Sequence, residues 1–277
     1  MEGYLIKKVL NNNVILVQQN YQNYILIGKG IGFGRKKGAL LKNLDKIEEK
    51  FISLNGLDLD DYETFFTTVD PKIIETTQKI IEMLKGGIKE NLDSHGYIAL
   101  IDHINFAIKR LTEGISIVNP FLFEIKLMYP DEYSLAKKSV DILEQDLKIY
   151  IPEAEIGFLT LHIYGARKDK NRNEALENSK MISQIVELVE SKLQITLEKN
   201  SFLYRRFVMH LMGIIDRAYS KRFDENKFLN KLQDDLSYEF NIAYYIVKIM
   251  EKTLKVSISE GEIGYIAIHL YKMRNDV

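Results

Sequence analysis

The sequence predicts a mainly α protein with a small all-β domain at its N-terminus: a β head followed by two duplicated all-helical bundles. Three observations carry that expectation. The first forty residues hold short aliphatic and β-branched runs broken by Asn and Gly, the pattern of strands and turns. Beyond them, EIGFLTLHIYGAR at 155–167 and EIGYIAIHLYKMR at 262–274 match in register 107 positions apart. Upstream, YIALIDHINFAIKR and YRRFVMHLMGIIDR set Tyr97, His103 and Arg110 against Tyr204, His210 and Arg217 at the same offset. Solenoid repeats run about 20–50 residues, so a repeat of this length is a domain.

Composition bounds the function. At 277 residues and 46% hydrophobic, the chain can bury two or three cores. It has no cysteine, which excludes disulfides, thiol nucleophiles and thiolate metal sites, and fits a reducing cytoplasm. No apolar run reaches the roughly 18 residues a membrane span needs, and MEGYLIKKVL lacks the apolar core of a signal peptide. The net charge of -1 conceals a split. Residues 1–42 carry Lys7, Lys8, Lys29, Arg35, Lys36, Lys37 and Lys42 against Glu2 alone, leaving an acidic body. A basic head on an acidic body points to a polyanion partner for the head.

In the head, YLIKKVLNNNVILVQ reads as two strands joined at Asn11-Asn12-Asn13, and YILI at 24–27 as a third. GKGIGFGRKKG follows, with Gly28, Gly30, Gly32 and Gly34 at every second position. In an extended strand these glycines would bare one face to another backbone or a ligand. Neither a dinucleotide fingerprint nor a P-loop is present. A glycine-rich hairpin with solvated lysines is the plain alternative, and the charge asymmetry favours a nucleic-acid surface over it. There Lys8, Lys29 and Arg35 hold phosphates, Asn11 and Asn13 read base edges, Phe33 stacks, and Gly28 and Gly30 admit the ligand.

KKVLNNNV followed by LIGKGIGFGRKKG resembles the co-antiterminator RNA-binding domain of the BglG/SacY/LicT family of bacterial transcriptional antiterminators. The duplicated helical units resemble that family's two phosphotransferase-system (PTS) regulation domains, and IGKGIGFG is closest to its glucose-operon type. The resemblance covers the whole chain. It implies an RNA-binding domain at 1–58, a first regulation domain at 59–170 and a second at 171–277.

Along the body, Asn43–Phe51 reads as a charged stretch and 53–61 as a polar linker. The first unit begins near Tyr62 and opens its helices after Asp70-Pro71. Tyr97, Leu100, Ile101, Ile104, Ala107, Ile108 and Leu111 follow helical spacing, which puts His103 on the flank of an apolar stripe. His162 takes a similar flank on a helix announced by Pro152, Glu153 and Glu155. The stretch between is helical with a break at Tyr129-Pro130. Residues 168–178 read as an inter-domain linker, 220–238 as a polar stretch with a loop, and Ser259-x-x-Glu262 as a capping box.

Four of the five histidines lie in the repeat; only His95 stands outside. One flank histidine is ordinarily structural, but four at matched offsets are hard to ascribe to packing. Metal-ligand spacing such as H-E-x-x-H is absent, as is any hydrolytic triad, and no cofactor site is expected. Neutral imidazole is a competent nucleophile toward a phosphohistidine, and Arg110, Arg167, Arg217 and Arg274 could receive the charge. The resemblance implies that His103, His162, His210 and His269 are phosphorylated. It implies a sugar permease (Enzyme II) as donor to the first unit and the phosphocarrier HPr to the second. It also implies a homodimer clamping a leader hairpin of the mRNA. Asp102 before His103 contrasts with Met209 before His210, which argues against equal donors. A PTS-regulated DNA-binding activator is the alternative from another class, and it would need a helix-turn-helix before the repeat. An enzyme passing phosphate onward is a second.

Overall fold

The computed structural model describes residues 3–20, 22–42, 44–52, 59–88, 92, 94–115, 117–167, 169–222, 226 and 228–276. Its head is one antiparallel sheet of β1 (Tyr4–Asn11), β2 (Val14–Gln19), β3 (Gln22–Ile27), β4 (Leu40–Leu41) and β5 (Glu49–Ile52). The spatial order is β4-β1-β2-β3-β5. β1 turns into β2 through the asparagines, where the Asn11 side chain accepts from Asn13 N at 2.9 Å. β2 meets β3 across a tight turn that pairs Gln19 with Gln22, with Asn20 at φ +51°. Alternation then buries Tyr4, Ile6, Ile15, Val17 and Leu26 in one small core closed by Ile31 and Leu41.

The glycine-rich segment is not a strand. Ile31 N, Phe33 N and Arg35 N donate to Gly28 O, Gly30 O and Gly32 O, so 28–35 is a run of turns. The glycines do not share one bared face: a Cβ on Gly28 would lie 1.7 Å from Lys46 O and on Gly32 2.2 Å from Asn11 O, while Gly30 and Gly34 face open space at positive φ. The alternation that suggested extension serves turns packed against the chain's own backbone. β5 also overlaps the stretch expected to be merely charged; pairing of Ile25 and Leu26 with Phe51 and Lys50 overrides its polar composition.

The chain divides into two compact units, 1–118 with 134–170, and 119–133 with 171–277. In the first, α1 (Leu59–Thr68), a helix not anticipated, meets the head where the Asn11 amide donates to Phe66 O at 3.1 Å. The expected linker residues 53–58 lie outside the described residues. α2 (Pro71–Gly87) starts where Asp70 accepts from Lys72 N at 2.7 Å, with Pro71 in the first turn as expected. α3 (Ser94–Thr112) packs between α2 and α6 (Glu153–Gly165). α5 (Pro130–Leu147) follows α4 (Leu122–Met128) after the break at Tyr129.

The second sequence repeat matches the first helix for helix. α7 (Arg172–Leu193), α8 (Phe202–Tyr219), α9 (Leu229–Asp235), α10 (Ser237–Leu254) and α11 (Gly261–Asp276) answer α2 to α6. The loop devices recur as well. Glu144 and Glu251 accept from Ile151 N at 2.8 Å and Ile258 N at 3.0 Å, and Lys148 and Lys255 both take left-handed backbone. α4 departs from the symmetry. It belongs to the second unit and packs on α7 and α8, with Glu124 buried against Tyr204 OH at 2.6 Å, whereas α9 packs on α10 and α11.

One sequence assignment needs correcting here. Most of the expected linker 168–178 is helix, because Asn171 caps α7 by accepting from Asn173 N and Glu174 N. Much of the polar stretch 220–238 is α9 and the start of α10; residues 223–225 and 227 lie outside the described residues.

Candidate functional site

The head carries a set of exposed basic residues. Lys8 on β1 and Lys29, Phe33, Arg35, Lys36 and Lys37 of the glycine-rich turns are exposed, Phe33 at 74%. The asparagines and the remaining glycines form the scaffold beneath. Asn13 is 8% exposed; its side-chain oxygen accepts from Gly30 N at 2.8 Å and its carbonyl from Gly28 N at 2.9 Å. Asn11 holds the hairpin turn through its oxygen and Phe66 through its amide. Of the eight head residues singled out in the sequence, Lys8, Lys29, Phe33 and Arg35 thus face solvent. Asn11, Asn13, Gly28 and Gly30 set the shape that carries them.

In each helical unit the two repeat histidines meet. α3 and α6 bring the His103 and His162 rings to 4.3 Å between centroids, stacked at 21°. α8 and α11 bring His210 and His269 to 4.5 Å, tilted at 32°. Each pair is backed by a buried carboxylate that sequence reading assigned to other work. Glu155 Oε2 lies 3.9 Å from His103 Nε2, and Glu262 Oε2 lies 4.0 Å from His210 Nε2. Arg110 pairs with Glu155, and Arg217 holds Glu262 through two hydrogen bonds of 2.6 and 2.9 Å.

This arrangement gives Glu262 and the repeat arginines partners the sequence did not name. Ser259 Oγ accepts from Gly261 N, and the Glu262 carboxylate, read from the sequence as part of a capping box, binds Arg217. Arg110 and Arg217, offered as receivers of phosphoryl charge, are already engaged by glutamates, and Arg274 bonds Glu239 at 3.1 Å. The signal for Glu155 and Glu262 was present, since both open the matched EIG segments.

Electrostatics favours neutral imidazoles in the second unit. Burial, then Arg217 and Arg206, pushes His210 down to about 4. Burial, then His210, Arg206 and Lys272, pushes His269 down to about 4. Glu262, although close to His210, does not offset this, because its charge is neutralised by Arg217. Both rings therefore keep a nucleophilic lone pair at neutral pH. Among the described residues no group of three or more His, Asp, Glu or Cys is placed to hold a metal ion.

Comparison with known proteins matches this architecture segment by segment. A CAT RNA binding domain fits residues 4–56, and PRD domains fit residues 70–166 and 183–272. The chain belongs to the CAT–PRD antiterminator family. It is 32% identical to "Protein GlcT" of Staphylococcus haemolyticus, over 100% of this chain and 98% of the relative. It is 35% identical to the GlcT protein of Staphylococcus aureus (strain bovine RF122 / ET3-1), over 98% and 97%. It is 32% identical to the "GlcA/glcB genes antiterminator" of Staphylococcus carnosus, over 98% and 96%. The crystal structure of GlcT CAT-PRDI aligns with 60% of this chain and 99% of that one, at 37% identity and a TM-score of 0.52. This antiterminator is thus an RNA-binding regulator under control of the phosphotransferase system, not an enzyme. The β head excludes the helix-turn-helix activator considered from sequence. Among the described residues no helix is long and apolar enough to cross a membrane.

Proposed function

We propose that the chain is a cytoplasmic, sugar-responsive antiterminator whose four repeat histidines are phosphoacceptors that set the activity of the RNA-binding head. The observation that carries the reading is the pairing of His103 with His162 and His210 with His269, the same contact built twice by duplicated helices. Two imidazoles set face to face beside a neutralised carboxylate suit phosphoryl acceptance better than core packing, which needs no imidazole. Residues 1–58 act as the RNA-binding domain, 59–170 and 171–277 as the regulation domains. HPr is the donor to the second unit and a sugar permease the donor to the first. The active form is a homodimer.

On the head, Lys8, Lys29 and Arg35 contact phosphates of the mRNA leader hairpin and Phe33 stacks on an unpaired base. Asn13, with its oxygen committed to Gly30, offers its amide nitrogen to a base edge, and Asn11, Gly28 and Gly30 fix the loop that presents it. A gel shift of the full chain with the leader hairpin, beside a DNA duplex of equal sequence, tests the head. RNA-selective binding is expected, with a salt slope shallower by about one unit in Lys8→Ala or Arg35→Ala; equal affinity for DNA contradicts it. Incubation with Enzyme I, HPr, permease domains and phosphoenolpyruvate, followed by phosphosite mapping, tests the body. Phosphate on the four repeat histidines is expected, and its absence from all four contradicts the reading.

A further inference from the structure

The two histidine pairs share their geometry but not their surroundings. Arg206 precedes His210 by four residues on α8, and Lys272 follows His269 by three on α11, spacings that put each cation on the same helix face as its histidine. With the rings 4.5 Å apart, both cations converge on one pair. Both side chains are exposed, and among the described residues neither has a hydrogen bond or ion pair. Arg206 acts electrostatically on both imidazoles and Lys272 on His269. The repeated arginine, Arg217, is held by both oxygens of Glu262 and is not available.

In the first unit the positions matching Arg206 and Lys272 hold Ala99 and Gly165. Asp102 stands where the second unit has Met209, and Arg110 is paired with Glu155. At those matching positions the first unit offers no cation to a dianion on His103 or His162. We propose that Arg206 and Lys272 form a two-cation cradle that receives the phosphoryl group on the second unit's histidine pair, a cradle the first unit does not repeat at the matching positions. The proposal rests on the reading that the repeat histidines are phosphoacceptors.

The transfer balances without a further reactant. A lone pair on a neutral imidazole nitrogen attacks the phosphorus of the donor's phosphohistidine. The new N–P bond forms as the donor's N–P bond breaks, and the donor imidazole keeps the bonding electron pair. The acceptor releases the proton of its other ring nitrogen as the donor takes one up, and nothing is oxidised or reduced. The group arrives with about two negative charges. Arg206 and Lys272 then stabilise its dianion over its monoanion, while Glu262 stays neutralised by Arg217.

The test uses the full chain in a His103→Ala, His162→Ala background, so that the second unit supplies the only repeat-histidine signal. The protein is phosphorylated in parallel by HPr with Enzyme I and by phosphoramidate, which needs no protein docking. Phosphorus NMR then follows the phosphoryl titration in the starting protein and in Arg206→Gln, Lys272→Gln and the double variant. The cradle predicts a titration below the ordinary value of about 6, rising by roughly half a unit to one unit in the double variant. It also predicts slower labelling of the double variant by both donors. An unchanged titration in the double variant overturns the proposal. So does a loss of labelling confined to HPr, which would make Arg206 and Lys272 a docking site for the donor. Absence of phosphate on His210 and His269 in the starting protein is a separate outcome, and it sinks the phosphoacceptor reading and the cradle with it.

Discussion

Glu262 is 3% exposed and carries its charge into the core only because Arg217 binds both of its oxygens. Removing one member of such a pair leaves an uncompensated group and typically costs about 3–5 kcal/mol, whereas replacing both by apolar groups can be nearly neutral. Glu262→Ala should therefore lower the urea midpoint of the second unit, and Glu262→Ala with Arg217→Met should recover much of the loss. Equal destabilisation by the single and double variants would show that the pair does not act as a unit. The neutral histidines add a pH dependence of definite sign. Their folded pKa values near 4 lie below the unfolded value of about 6.5, so the unfolded chain takes up protons first. The stability they leave intact is fully present above pH 6.5 and is lost as pH falls toward about 4. Urea melts at pH 7.5 and pH 5 should show this decline, and His210→Gln with His269→Gln should flatten it. At this scale the sequence revealed the histidine lattice, since imidazole is rare enough for its register to stand out. The glutamates were harder to assign, because a carboxylate near a helix start has a ready local use in the capping box or the helix dipole. Only packing shows that Glu155 and Glu262 turn inward instead.

Among the elements, the glycine-rich turns position the head's exposed cations, and the glycines differ in what they contribute. Gly28 has no room for a Cβ beside Lys46 O, while Gly30 has open space but a φ of +66°. Gly28→Ala must displace the backbone around Lys46 and should abolish tight RNA binding. Gly30→Ala bears only the strain of left-handed backbone, roughly 1–2 kcal/mol, and should bind RNA within about tenfold of the parent. Gel shifts on the two variants check this, and comparable losses in both would contradict the close-packing argument. The strands β1, β2 and β3 were legible because alternation and the asparagine turn act locally. β4 and β5 were not: two and four residues long, they owe their conformation to partners far along the chain. α7 was hidden by its polar first turns, although Asn171 and Glu174 stood at cap spacing.

For the whole molecule, the repeat gives two units with one plan, and their differences lie beside the histidines. The second unit places Arg206 and Lys272 there, and the first places Ala99, Gly165 and Asp102. If the cradle acts as proposed, added negative charge should be tolerated at His210 or His269 and opposed at His103 or His162, and the two units should regulate in opposite senses. A homodimer is still expected, but not through the bared face of a glycine-rich strand, since 28–35 is a run of turns. Light scattering of the full chain with and without leader RNA should find a dimer in the RNA-bound state; monomer alone under both conditions would remove dimerisation from the mechanism. The duplication itself was readable in the sequence, because a shared offset survives divergence of everything between. The placement of α4 in the second unit was not, since its apolar residues fit either bundle equally well by pattern. Readthrough of a leader-terminator reporter in cells lacking the inducing sugar tests most directly whether charge on the histidine pairs switches the head. His103→Ala should read through constitutively and His103→Asp should be silent, while His210→Asp and His269→Asp should match or exceed the parent. Equal loss of readthrough in His103→Asp and His210→Asp would contradict the opposition of the two units, and no change in any of the four would contradict the switch.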